Sequence, residues 1–234
     1  MNKIGLITIL ETVSDRVRKA FDVKEPTPKI KFVKEIPDVT AFGYDLKGNC
    51  HIAINPSYTE AQYSTMQWAL SEEVAHFCHY TINLPLFKEN VQEFKRKDRK
   101  SNNRLLEISN LMELVARIGG FYGGMIPPDY KNVINNWESV MKRSSIENEK
   151  EFKGKMKIPE YNDAVFMASS RVWGASLGDI LMEDMMTKSR CLPERDLLRS
   201  VAATTTFREA GESVKRYAPN LVKEFETVTN TFFN

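Results

Sequence analysis

The segment from Met66 to Ile82 does most to decide what this chain can become. It is apolar on nearly every side, through Met66, Trp68, Leu70, Val74, Phe77, Cys78, Tyr80 and Ile82. A helix that is hydrophobic all round belongs in a core. Yet the same segment carries Glu72, Glu73, His76 and His79. Such groups are costly to bury unless they are paired, hydrogen-bonded or bound to a metal. At about 100° per residue, Glu72, His76 and His79 fall within about 60° of one another, and Glu73 lies about 60° beyond His76. The chain must therefore build a core around a helix with one polar stripe, and must give that stripe partners.

The rest of the pattern supplies that core. Apolar residues at helical spacing (Ile9, Leu10, Val13, Val17, Phe21) predict an amphipathic helix from Leu6 to Phe21, ended by Pro26 and Pro28. Lys29–Val33, Val39–Tyr44 and Cys50–Asn55 are short and rich in β-branched or aromatic residues, with turn chemistry at Leu46–Asn49. They predict a small antiparallel sheet. Helices are expected near 59–82, 102–119, 129–149, 161–187, 194–215 and 219–231, with breaks at Leu84-Pro85, Gly119-Gly120, Ile126–Pro128, Ile158-Pro159, Leu192-Pro193 and Ala218-Pro219. The basic run Phe94–Lys100 reads as a solvated loop. Small residues at Ala168–Ser170 and Gly174–Gly178 point to close helix packing, and Asp179, Glu183 and Asp184 to an acidic surface patch. The fold class is α+β: a small N-terminal antiparallel sheet packed on a buried active-site helix, followed by a mainly α-helical body. The division expected is a lobe at 1–125 and a helical subdomain at 126–234, or one continuous domain.

Composition excludes several functions. With 42% hydrophobic and 27% charged residues, the chain suits a soluble globular protein. A net charge of +2 provides no field to draw in nucleic acid or a membrane surface. Cys50, Cys78 and Cys191 are odd in number and lack Cys-x-x-Cys spacing, which argues against a disulfide framework and a thiolate zinc site. No stretch approaches the run of about 20 apolar residues that crosses a bilayer, and the apolar run before Glu11 is too short for a signal peptide. The expected setting is cytoplasmic. Glu73-Val-Ala-His76 fits one Glu-x-x-His of a di-metal helical bundle, but all three histidines lie within residues 51–79, so the second copy that architecture needs is missing.

Glu72-Glu73-Val-Ala-His76 resembles the zincin metallopeptidase motif His-Glu-x-x-His, with the first histidine replaced by Glu72. The resemblance spans roughly residues 50 to 120. It includes the strand ending in Ile52–Asn55 before the helix, and Leu111-Met-Glu113-Leu-Val-Ala-Arg117, similar to the downstream carboxylate of gluzincins. It implies a divalent metal, zinc first with manganese or iron as alternatives, held by Glu72, His76 and Glu113. It implies Glu73 as general base for the attacking water, and a peptide or protein substrate laid along the strand that ends at Asn55. Glu107 and His79 are the fallback ligands. The residues alone leave a second reading open: a non-enzymatic helical scaffold or interaction protein, without metal, in which Glu72, Glu73 and His76 form a buried structural hydrogen-bond network.

Overall fold

The structure, a computed structural model, describes residues 3–34, 36, 39–45, 47, 49–56, 63–95, 103–124, 172–189 and 195–233. The expected helix at 129–149, the first part of the one expected at 161–187, Tyr161 and Cys191 lie outside them.

The first helix, α1 (Lys3–Phe21), buries Leu6, Ile9, Leu10, Val13, Val17, Ala20 and Phe21, the stripe its spacing predicts. It stops five residues before Pro26. Asp22 takes a left-handed conformation at φ 59°, and the Val23 N–H donates to the Arg18 carbonyl at 3.0 Å. Three strands follow: β1 (Ile30–Phe32), β2 (Thr40–Tyr44) and β3 (Cys50–Ile54). Asp45 organises the β2–β3 turn, its carboxylate accepting from the Lys47 and Asn49 N–H groups.

The sheet is mixed rather than antiparallel. β2 and β3 form the expected hairpin, but β1 pairs parallel to β3, in the order β1-β3-β2. β3 is therefore the central strand. Its neighbours occupy both sides, so it cannot receive a substrate strand as the sequence predicts. β2 is the edge nearest the buried helix.

That helix is α2 (Tyr63–Ile82), packed between α1, β2 and α4 (Asn103–Phe121). α2 ends at Ile82, beside the break expected at Leu84-Pro85, and that pair opens a further, unexpected helix, α3 (Leu84–Lys95). Proline is tolerated in a first helical turn, because its missing N–H has no intrahelical partner there anyway. Asn83 makes the corner, donating to the carbonyls of Ala202 (3.3 Å) and Thr204 (2.7 Å).

Gly119 and Gly120 also differ from expectation: they lie within α4, which continues to Phe121. A Cβ at Gly119 would press on Ala75 and Phe21, and one at Gly120 on Glu72 and Trp68. These glycines let α4 lie close against α2. The stretch Gly174–Gly178 does the same for α5 (Val172–Ser189), as its small residues predict. Gly174 donates its N–H to Asn110 Oδ1 at 2.9 Å, and a Cβ there would collide with the Asn110 backbone. Backbone cannot yield as a side chain can. Gly174→Ala is expected to cost about 1–3 kcal/mol, near the top of that range, by urea unfolding.

The segment expected as one helix over 194–215 is two, α6 (Arg195–Ala202) and α7 (Phe207–Lys215). Thr206 caps α7 in a reciprocal box with Glu209, a start signal inside what periodicity alone reads as continuous. A short 3₁₀ turn at Pro219–Leu221 leads into α8 (Val222–Val228). Leu177, Leu181, Leu198, Val201, Phe207 and Phe225 from these helices join α1, α2 and α4 in one contiguous apolar core. Among the described residues, no helix is long and apolar enough to cross a membrane.

Candidate functional site

The polar stripe of α2 faces a cavity of about 440 Å³ bounded by β2, α2, α4 and α5. Glu72, Glu73, His76, Glu113 and Arg117 line it together with Thr40, Phe42 and Tyr44. Burying Glu72, Glu73 and His76 on α2 is tolerable because each finds a partner from another element.

Glu73 accepts a hydrogen bond from Thr40 Oγ1 at 3.0 Å. Its burial pushes the carboxyl up to about 7, against the opposing pull of His76. His76 Nε2 stands 3.4 Å from Glu113 Oε1, and its ring lies nearly parallel to Phe42, 7° apart in plane. Glu113 thus comes to His76 from the next long helix.

Glu72 meets a different partner. Arg117 Nη1 reaches Glu72 Oε1 at 2.8 Å, Arg117 Nε lies 3.0 Å from Asp179 Oδ1, and the guanidinium sits 5.3 Å over the Trp68 ring. Burial raises the Glu72 carboxyl and Arg117 opposes that shift. Asp179 is fully buried, not part of a surface patch. Among the described residues, no three of His, Cys, Asp and Glu are arranged to hold a metal ion. The expected triad is thus present as a close pair, His76 with Glu113, and a third carboxylate turned to a guanidinium.

The two fallback ligands lie elsewhere. Glu107 receives Arg104 Nη1 at 2.7 Å and the Phe207 N–H at 2.8 Å, which ties α4 to the start of α7. Tyr80 packs in the aromatic cluster with Phe42, Tyr44 and Phe87. His79 shares the stripe's angle on the helix but is fully buried, edge-on to Phe87 at 5.1 Å. Burial, aided by His76, lowers it from 6.5 to about 3. The unfolded chain therefore takes up this proton first. Its contribution to stability is complete above pH 6.5 and drains away as pH falls toward 3, up to about 4 kcal/mol. His79→Phe is expected to flatten that part of the stability profile, measured by urea unfolding between pH 6.5 and 3.5.

Sequence reasoning missed Thr40, Trp68 and the Arg117–Asp179 contact. Asp179 was findable: it falls between the small residues Gly174–Gly178 and the apolar Ile180, Leu181 and Met182 of α5, the same kind of signal that singles out α2. No family model, curated protein or solved structure matches the chain.

Proposed function

We propose that the chain is a zincin-like, metal-dependent peptidase whose divalent cation is held by His76 and Glu113. The observation that carries this reading is the 3.4 Å separation of His76 Nε2 and Glu113 Oε1. Two donors about 2.0–2.1 Å from one tetrahedral zinc stand about 3.3 Å apart, so this pair fits the group. The charge balance supports it as well, because among the described residues Glu72, Glu73, Glu113 and Asp179 share one neighbourhood with one arginine and one histidine. When bound, the cation would lower the pKa of a water and polarise the scissile carbonyl.

The chain's own residues do the rest. Glu73, raised to about 7, is poised to take the proton of the attacking water near neutral pH. Thr40 holds that carboxylate in place through its hydroxyl. The ladder between β2 and β3 turns the main-chain groups of Val39 and Asp45 inward, through Asn55 N–H to Val39 O and Asp45 N–H to Asn49 O. By alternation, Thr40 and Phe42 direct theirs away from β3, on the side of the cavity. In this reading an extended peptide lies in the cavity, its side chains meeting the aromatic wall of Phe42 and Tyr44.

The buried Glu72–Arg117–Asp179 network on Trp68 favours a second reading, that of a scaffold stiffened by an ionic core. Metal binding separates the two. Calorimetric titration with zinc and with manganese is expected to show one site on the wild type, abolished in His76→Ala and in Glu113→Gln. No heat with either metal, or heat that survives both substitutions, leaves only the scaffold.

A further inference from the structure

We infer that a groove between α1 and β1 binds a long-chain aliphatic carboxylate. The groove shares no lining residue with the cavity at α2, so the inference is independent of a metal there. Its volume is about 540 Å³, within the roughly 300–1,000 Å³ of small-molecule sites. α1 packs on α2, α4 and α6, and across this groove it faces the returning chain from Thr27 to Phe32. The part of α1 that lines the groove runs from Leu6 to Arg18, about 18 Å at a rise of 1.5 Å per residue. Leu6, Ile7, Leu10, Ile30 and Phe32 form an apolar wall. Among the described residues, the large apolar side chains that remain exposed are Ile7 at 40% and Phe32 at 44%. Both belong to this wall.

The polar part of the lining selects the head group. Ser14 and Arg18 lie in the last two turns of α1, and Thr27 on the returning chain. Ser14 Oγ, Arg18 Nε and Thr27 Oγ1 are shielded from solvent with no hydrogen-bond partner among the described residues, and Ser14 is only 4% exposed. A buried donor without an acceptor costs free energy that a suitable ligand restores. All three can donate and one is cationic, so their complement is an anion that only accepts, as an ionised carboxylate does. Arg18 is held in place by its Nη2, which donates to the Lys24 carbonyl at 2.8 Å and leaves Nε for the ligand. The carboxylates of the lining do not fill this role: Asp15 is turned to Lys19 at 2.8 Å, and Glu11 is exposed. Lys29 adds a second cation to the lining. Side-chain rotation uncovers the three donors as the head group enters, and the tail covers Ile7 and Phe32.

Calorimetric titration of the full chain with dodecanoate, below the concentration at which it forms micelles, tests this at neutral pH. The wild type is expected to bind one equivalent, and to bind dodecyltrimethylammonium, which has the same tail and a cationic head, far more weakly. Arg18→Gln is expected to weaken dodecanoate about tenfold or more, the loss for one hydrogen bond to a charged group. Ser14→Ala is the sharper variant. Its hydroxyl has no partner in the free protein, so the substitution is expected to leave the melting temperature unchanged or raise it, while weakening dodecanoate by a similar factor. Absence of saturable dodecanoate binding by the wild type overturns the inference, as does equally tight binding of dodecyltrimethylammonium. Wild-type affinity in either variant overturns it as well, and a Ser14→Ala protein that melts lower and binds unchanged assigns the hydroxyl to the fold alone.

Discussion

Glu73→Gln is expected to lower peptide hydrolysis by about 10²–10⁴-fold, the usual contribution of a general base, while making the protein more stable above pH 7. The two effects have one cause. The Glu73 carboxyl titrates near 7 in the folded protein against an ordinary value of 4.5. Its folded pKa is raised, so its contribution to stability is complete below pH 4.5 and is lost as pH rises through 7. A shift of that size is worth about 3 kcal/mol at alkaline pH. Glutamine keeps the hydrogen bond from Thr40 and carries no charge to desolvate. Urea unfolding at pH 4.5 and pH 8, beside turnover of a peptide library, reads both effects. A Gln variant less stable than wild type at pH 8 contradicts the burial argument; one that keeps its turnover contradicts the role of base.

Arg117→Ala carries the largest expected loss of stability, about 3–5 kcal/mol, because it removes the cation from between Glu72 and fully buried Asp179. Arg104→Ala provides the contrast. Arg104 holds Glu89 through two contacts of 2.8 Å, yet the Glu89 side chain is 38% exposed and water can replace much of what is lost. Chemical unfolding of the two variants should rank them clearly, with Arg117→Ala the less stable. Asp179→Asn added to Arg117→Ala should recover part of the loss, since the stranded charge goes with it.

Much of the fold was legible because its signals are local. The stripe Leu6–Phe21, the three strand segments and the apolar character of Met66–Ile82 follow from side-chain periodicity, which a single sequence carries. What periodicity does not carry is pairing. Nothing in Lys29–Val33 distinguishes a strand that joins β3 in parallel from one that joins it antiparallel, so the central position of β3 emerged only in three dimensions. Leu84-Pro85 marked the end of α2 but not the start of α3, for a different reason. Proline ends a helix from inside and starts one from its first turn, and the two readings differ by a residue or two of register.

The candidate site was half legible. Two carboxylates and a histidine on a helix with no polar face announce themselves, and Glu113 was reachable as the carboxylate on the next apolar helix. Arg117 follows Glu113 by one turn on the same helix. Its engagement with Glu72 and Asp179 depends on Gly120 and Gly178 letting three helices close to backbone distance. That is a packing consequence, and no spacing rule within one segment encodes it.

The central claim is that His76 and Glu113 share one divalent cation. X-ray absorption at the zinc edge of protein loaded with one equivalent of zinc tests it most directly. The account predicts a shell of oxygen and nitrogen at about 2.0–2.1 Å, with the multiple-scattering signature of a single imidazole that disappears in His76→Ala. A zinc shell with no imidazole, or one unchanged by His76→Ala, would contradict it.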